Sequence, residues 1–173
     1  MLSHRCLLAD ADKIADAALK AGRNEDMLPL TVAVLDSGGQ LVVLKCKDAC
    51  GTVRSEIAIG KASLGMGVGS RTLRDLLKER PAFQAAISAA SDGRFVAVPG
   101  GVLILNDVGQ AIGAIGISGD TSDSDEYAVS TANHDTGFAS HPEEPAENWP
   151  NCNYQSMQTA VSCRCSQTNL SVA

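Results

Sequence analysis

Two apolar segments of the chain, each broken by a glycine-containing turn, leave few folds open. Residues 30–35 and 40–46 are apolar and rich in β-branched side chains, and they flank the sequence Asp-Ser-Gly-Gly. Residues 102–106 and 111–118 flank a second turn, Asp-Val-Gly. Apolar runs joined by short glycine turns are typical of β-hairpins. The sequence therefore predicts two hairpins and at least four strands.

Helices are predicted before, between and after these hairpins. Residues 7–22 place an apolar side chain at every third or fourth position, with Gly22 positioned to end the helix. Further helices are expected over 52–64, 71–77, 81–90 and 123–138, with Thr52 as an N-cap and Pro81 as a first helical residue. This order predicts an α/β chain in the form of an α+β sandwich, whose mostly antiparallel central sheet is flanked by helices.

Composition and charge narrow the class of protein. The chain of 173 residues predicts one domain over 1–140, followed by an irregular tail over 141–173 that is rich in polar residues. The net charge of −6 provides no basic stripe, so we expect no nucleic-acid partner. The sequence contains neither an apolar membrane span nor a signal peptide, which predicts a cytoplasmic protein with no membrane partner. Its six cysteines are expected to be free thiols.

Two motifs suggest ligand chemistry but lack the required context. The glycine-rich stretch 65–72 follows a predicted helix, whereas a phosphate-binding loop follows a strand, so a flexible helix exit is favoured. A zinc site built from His141, Cys152, Cys163 and Cys165 lacks compatible ligand spacing. We therefore predict no metal site.

Lys61 is the most informative single residue, because it interrupts an otherwise apolar helix face. A buried ammonium group needs an anionic partner, and Asp36, Asp48, Asp125 or Glu126 could supply one. A functional cation and a structural salt bridge are equally compatible with this pattern. The acidic residues within 120–126 could gather a cation, but a helix cap is favoured.

Five segments, in this order, resemble the GlcG/HbpS family of haem-binding and haem-degrading-protein-like domains, which also occur at the end of some corrinoid adenosyltransferases. The segments are 32–39, 55–62, 99–104, 112–119 and 125–126. The resemblance extends over residues 5–138. It implies a helix-flanked antiparallel sheet and assembly into homo-oligomers.

The same resemblance implies a noncovalent haem site near subunit contacts in those members that bind haem. Axial ligation varies within the family, and Thr72 and His4 are the two positions similar to its ligands. The chain has Cys46-Lys47-Asp48 where the family usually has Arg-x-Asp. Lysine lacks the planar fork of arginine, which weakens the expectation of a carboxylate contact there.

Three functional hypotheses remain open. The first is a homo-oligomeric protein that binds haem or a smaller anionic metabolite, with Lys61 fixing the anion. Its predicted pocket comprises Asp36, Asp48, Lys61, Gly100, Gly101, Ser118, Asp125 and Glu126. The second is an enzyme of small-molecule metabolism, an isomerase, lyase or hydrolase, with Lys61 and Glu126 as candidate catalytic residues for proton transfer. The third is a structural or regulatory oligomer with no small ligand.

Overall fold

The computed structural model describes residues 6–63 and 67–151, which form a five-stranded sheet with helices on both faces. The helices are α1 (Leu8–Asn24), α2 (Arg54–Lys61), α3 (Ser70–Leu77), α4 (Pro81–Ala90) and α5 (Ser122–Asp135). The strands are β1 (Thr31–Asp36), β2 (Leu41–Cys46), β3 (Gly101–Leu105), β4 (Ala111–Ser118) and β5 (Ala139–His141). Within this part of the chain, no helix is long and apolar enough to cross a membrane.

The strands lie in the order β2-β1-β4-β3-β5, and every neighbouring pair is antiparallel. Both predicted hairpins are present, as β1–β2 and β3–β4. The predicted fold class, an α+β sandwich with an antiparallel sheet, is therefore confirmed.

The main core lies between α1, α5 and one face of the sheet. Along β1 and β4, Val34 pairs with Ile115 and Val32 with Ile117, so four branched side chains stand on the same face. Small residues of both helices, including Ala15 and Ala132, pack against them. This arrangement anchors α5 directly over the sheet.

The opposite face of the sheet is covered by α2 at unusually short range. The glycines at 101 and 116 are paired across β3 and β4. A side chain on Gly116 would collide with the carbonyl oxygen of Ala58, and one on Gly101 with the carbonyl of Lys61. The paired glycines therefore let the α2 backbone approach the sheet closely, which fixes the position of Lys61.

Helix boundaries differ from the sequence prediction in α1, α2 and α5, and α5 ends at Asp135 instead of residue 138. Helix α1 continues through Gly22 to Asn24, because Gly22 is a packing position against Leu30 and not a terminator. Helix α2 begins at Arg54 with no side-chain cap from Thr52 or Val53, and it ends at Lys61. The prediction for α4 is confirmed, including Pro81 in its first turn.

Residues 139–149 form a strap that crosses α5. Its first three residues are β5, which pairs with β3, and Trp149 stacks on Tyr127 of α5 with ring centroids 3.6 Å apart. Between β5 and a short 3₁₀ helix at Trp149–Asn151, residues 142–148 form no helix or strand, and the edge strand and the aromatic contact hold them against α5. The remainder of the predicted tail, with Cys152, Cys163 and Cys165, lies outside the described residues. Cys6, Cys46 and Cys50 have free thiols, as expected.

Candidate functional site

A buried ion pair joins the end of α2 to the start of α5. Lys61 Nζ lies 2.8 Å from Asp125 Oδ2, and the two side chains are 2% and 1% exposed. Of the four acids predicted as partners for Lys61, the structure selects Asp125.

Gly100 makes this pair possible. Its φ of +110° lies in a region that favours glycine, and a Cβ there would lie 2.8 Å from Lys61 Nζ and 2.9 Å from Asp125 Cβ. Gly101 provides no free amide for a ligand, because its N–H donates to Ser70 Oγ at 2.8 Å. The two glycines, predicted to line a ligand pocket, admit the Lys61 side chain and the α2 backbone.

Both carboxylate oxygens of Asp125 have partners. Oδ2 accepts from Lys61, and Oδ1 accepts from the backbone amide of Asp120 at 3.0 Å. Burial raises the pKa of Asp125 to about 6, while the positive charges of Lys61 and Arg54 limit the rise. The carboxyl group is therefore ionised at neutral pH but within reach of protonation.

The acidic segment 120–126 serves the start of α5, as the cap interpretation predicts. Thr121 is the N-cap, and its Oγ1 accepts from the Ser124 amide at 3.3 Å. Asp120 accepts from the amides of Leu28 and Thr121. These contacts tie the end of β4 and the start of β1 to α5.

A cavity of about 460 Å³ opens over the Lys61–Asp125 pair. Its polar lining includes Arg54, Ser118 and Asp120, and its aliphatic wall is formed by Ile57, Val96 and Val98. Arg54 donates to Ser118 Oγ at 3.2 Å. Within the described residues, Arg54 forms no ion pair, so its guanidinium faces the cavity beside a neutral acceptor.

Arg54 is a candidate site residue that the sequence analysis missed. It lies seven residues before Lys61, two helical turns away on the same face of α2. That spacing is the signal that could have identified it.

Five of the eight predicted pocket residues do not line this cavity, and two of them, Asp36 and Asp48, lie well away from it. Asp36 is at the opposite end of β1 from this cavity, where its Oδ1 accepts from the amides of Gly38 and Gln40 in the hairpin turn. Asp48 is exposed in the loop between β2 and α2 and does not line the cavity. The structure therefore brings Lys61, Ser118 and Asp125 together at the cavity, with Gly100 packed against the ion pair, but not Asp36 or Asp48.

Glu126 is buried beside Asp125 but faces a different environment. Its Oε2 lies 3.4 Å from Arg71 Nε, and neither oxygen has a hydrogen-bond partner among the described residues. The guanidinium of Arg71 and, after it, the backbone amide of Ala146 lower the pKa of Glu126. Burial nevertheless raises the pKa of Glu126 to about 7. Glu126 does not line the Lys61 cavity.

One of the two predicted iron ligands, Thr72, does not line this cavity. Thr72 is half-buried on α3 and is absent from the lining. His4 lies outside the described residues. Within residues 6–63 and 67–151, no group of three histidine, cysteine or acidic side chains is arranged to hold a metal ion.

An antiparallel sheet with α1 and α5 on one face and α2 on the other defines a small α+β protein with a cavity at one end of the sheet. The sequence matches the family described as haem degrading protein HbpS-like over residues 7–133, and the chain belongs to this family. An uncharacterized 15.0 kDa protein from the dhaT-dhaS intergenic region of Citrobacter freundii is 29% identical over 128 residues. That match covers 72% of this chain and 87% of the relative.

Solved structures share the fold. A structure described as a PduOC:heme complex superposes with a TM-score of 0.70 at 24% identity, covering 79% of this chain and 99% of the other. The Klebsiella pneumoniae protein ORFY gives 0.68 at 22% identity, covering 76% and 90%. A double mutant of Streptomyces reticuli HbpS gives 0.65 at 24% identity, covering 76% and 87%. At this level of identity these likenesses establish the architecture.

Proposed function

We propose that this chain is a ligand-binding protein that holds haem or a smaller anionic metabolite in the Lys61 cavity. The observation that carries the proposal is Arg54, a guanidinium at the cavity wall whose hydrogen-bond partner is the neutral hydroxyl of Ser118. A planar guanidinium grips a carboxylate through two parallel hydrogen bonds. Arg54 therefore takes the anion-binding role that the sequence analysis gave to Lys61.

The Lys61–Asp125 ion pair lies in the same cavity lining as Arg54 and leaves Arg54 as the cation available to a ligand. Because Lys61 is paired with Asp125 at 2.8 Å, Arg54 is the cation of the cavity lining that has no carboxylate within ion-pair distance among the described residues. Asp120 lines the same cavity, but it is engaged with backbone amides at the start of α5. An arriving carboxylate would thus meet one fixed donor group and an aliphatic wall.

Haem fits this cavity in part. Its carboxylates suit Arg54, its ring edge suits Ile57, Val96 and Val98, and about 460 Å³ is within the usual size of small-molecule pockets, roughly 300–1,000 Å³. Among the described residues that line the cavity, none is a histidine, cysteine, methionine or tyrosine. Thr72 and His4 therefore stay separate proposals for an iron ligand. The heme complex of the structural neighbour PduOC supports haem as a candidate ligand.

A second candidate function is proton transfer on a small molecule. The raised pKa of Asp125, about 6, at the cavity next to Lys61 favours it, because a general acid or base works best near neutrality. Lys61 and Asp125 would then face the substrate. Glu126, the other candidate from the sequence, does not line this cavity.

Homo-oligomeric assembly in the cytoplasm belongs to the same proposal. Helix α4 supports assembly, since none of its residues is buried and Phe83 is 49% exposed. The free thiols of Cys6, Cys46 and Cys50 support a reducing compartment.

The test is a titration of the full chain with haemin, followed by visible absorption, beside calorimetric titrations with small carboxylates. We expect saturable binding that weakens by about tenfold to a hundredfold in Arg54→Ala, the range of a charge-assisted hydrogen bond. Arg80→Ala is the matched control, because Arg80 is exposed and does not line the cavity. Thr72→Ala and His4→Ala are titrated in parallel, and loss of the Soret shift in one of them names the iron ligand.

Two outcomes would overturn the proposal. One is haemin or carboxylate binding of equal affinity in wild type and Arg54→Ala. The other is no saturable binding of either ligand class to a folded protein, which would move the assignment to the proton-transfer candidate.

A further inference from the structure

Two cavities of this protein share part of their wall. The Lys61 cavity and a second cavity, of about 350 Å³, are both lined by Val96 and Val98, which belong to the segment that connects α4 to β3. The second cavity, which we call the α4 groove, lies between that segment and one face of α4. Its lining residues are Pro81, Gln84, Ala85, Ser88, Phe95, Val96, Ala97 and Val98.

The connecting segment is held in a fixed position between the two cavities. Phe95 and Ala97 are buried in the core cluster of α3, whereas Val96 and Val98 are half-buried. Alternating burial is typical of extended backbone, so the two valine side chains lie on the same side of the segment. Val96 donates its N–H to the carbonyl oxygen of Gly60 at 3.1 Å, and a Cβ on Gly60 would lie 2.5 Å from Val96 Cγ2. The valines therefore form a fixed apolar surface beside α2.

Helix α4 leaves the groove open. None of its residues is buried, and Ile87 packs against the core cluster of α3. Positions 81, 84, 85 and 88 are spaced by three, one and three residues, so the side chains that line the groove share one face of the helix. Among the described residues that line the groove, none carries a charge. The groove therefore offers surface to a hydrocarbon chain and no counter-charge to a second ionic group.

The charged end of a ligand would lie in the Lys61 cavity. Arg54 faces that cavity with the neutral hydroxyl of Ser118 as its hydrogen-bond partner. Val96 and Val98 lead from this cavity to the α4 groove, because they line both. One guanidinium followed by continuous apolar surface is complementary to a single carboxylate that carries a hydrocarbon chain.

We propose that the Lys61 cavity and the α4 groove form one continuous binding site for a monocarboxylate with a hydrocarbon chain of medium length. The carboxylate accepts hydrogen bonds from Arg54, and the chain lies across Val96 and Val98. The end of the chain lies against the face of α4 that carries Ala85. This inference rests on the proposed function, because it needs Arg54 to bind a carboxylate, and it adds the class of carboxylate that the site takes.

A chain-length series tests the inference on the full chain. Butanoate, hexanoate and octanoate are titrated by calorimetry, and octanol is the matched probe that keeps the hydrocarbon chain without the carboxylate. Each methylene group that leaves water strengthens binding by up to about fourfold. We therefore expect octanoate to bind about tenfold or more tightly than butanoate, and to bind more tightly than octanol by a similar factor.

Two phenylalanine variants of α4 locate the hydrocarbon chain. Ala85→Phe fills the groove, and we expect it to reduce the ratio of octanoate to butanoate affinity from about tenfold or more to about twofold. Ala86→Phe is the matched control and should keep the wild-type ratio. Ala86 is the neighbouring exposed alanine on the same helix, and it lines neither cavity. The wild-type series keeps the test decisive if a variant does not fold.

The outcomes separate this inference from the proposed function. Carboxylate binding that weakens in Arg54→Ala but does not strengthen with chain length would overturn the continuous site alone. Equal affinity ratios in Ala85→Phe and Ala86→Phe, or octanol binding as tight as that of octanoate, would overturn it as well. If none of the three carboxylates binds saturably, the inference is overturned, and if haemin does not bind either, the proposed function fails with it.

Discussion

Asp125 and Glu126 are adjacent on α5 and equally inaccessible, yet the fold treats them differently. Asp125 has a partner for each oxygen, the ammonium of Lys61 and the amide of Asp120. Within the described part of the chain, neither oxygen of Glu126 has a hydrogen-bond partner, and the Nε of Arg71 lies 3.4 Å from Oε2. The Asp125 carboxylate is thus held by two hydrogen bonds, whereas the Glu126 carboxyl group is buried beside a single guanidinium.

The difference shows that burial sets the direction of the pKa shift, and that the neighbouring charges and hydrogen bonds set how far the pKa moves. Burial is the largest influence on both groups and raises both pKa values. At Asp125 the ammonium and the amide counteract it, and the pKa reaches about 6. At Glu126 the guanidinium of Arg71 counteracts it while Asp123 adds to it, and the pKa reaches about 7. At neutral pH, Asp125 is mainly ionised and Glu126 is close to half protonated.

The largest change in the free energy of unfolding is expected when Asp125 loses its partner Lys61. Lys61→Met leaves a buried carboxylate without its counter-ion, which should lower the free energy of unfolding by about 3–5 kcal/mol at pH 8. The double variant Lys61→Met/Asp125→Asn removes both charges and should recover much of that loss. Urea unfolding followed by circular dichroism measures both. Equal stability of the single and double variants would show that the pair does not act as a unit.

A slightly smaller change in the free energy of unfolding is expected from Glu126→Gln, and its size depends on pH. The ordinary pKa of 4.5 applies to the unfolded chain and about 7 to the folded one, so the folded state holds more protons between these values. The Glu126 contribution to stability is therefore full below pH 4.5 and is lost as the pH rises through 7, by about 3 kcal/mol in total.

The variant should remove this part of the pH dependence. Asp125 titrates in both proteins, so the difference between wild type and Glu126→Gln isolates Glu126. Unfolding free energies measured from pH 4.5 to 8 should diverge in favour of the glutamine variant as the pH rises. Parallel curves across this range would mean that the pKa of Glu126 is not raised in the folded protein.

The sequence predicted the framework of the fold because that framework rests on local periodicity. The hairpins, the extent of α4 and the amphipathic face of α1 all follow from spacing and turn residues. The sequence also marked Lys61 as a cation in need of a partner. It could not choose Asp125 over three other acids, since that choice depends on Gly100 and on how closely α2 approaches the sheet.

Two further errors have physical causes that refine such predictions. Asp36 precedes Ser-Gly-Gly, and an aspartate at that place in a hairpin turn satisfies backbone amides locally, so a structural role was the better inference. The strap has the polar, proline-containing composition of an irregular tail. Its order comes from pairing with β3 and from the contact of Trp149 with Tyr127, neither of which has a local sequence signature.

The smallest change in the free energy of unfolding is expected from Arg71→Gln, which tests whether Arg71 is the counter-ion of Glu126. Its guanidinium is 22% exposed, and it has two tasks: it lies beside Glu126, and it donates to the carbonyl oxygen of Glu144 in the strap. Arg71→Gln should raise the pKa of Glu126 further, because the main opposing charge is removed. We expect a loss of about 1 kcal/mol in unfolding free energy at pH 8, a modest value because Arg71 is partly solvated.

The pH dependence of this loss separates the two tasks of Arg71. At pH 5 Glu126 is protonated and needs no counter-ion, so only the strap contact is lost and the destabilisation should shrink. Lys78→Gln, an exposed position just beyond α3, removes the same charge without touching Glu126 or the strap and should change little at either pH. A loss from Arg71→Gln that is equal at pH 5 and pH 8 would assign Arg71 to the strap alone. Glu126 would then be a buried carboxyl group that no cation stabilises, whereas Asp125 is stabilised by Lys61.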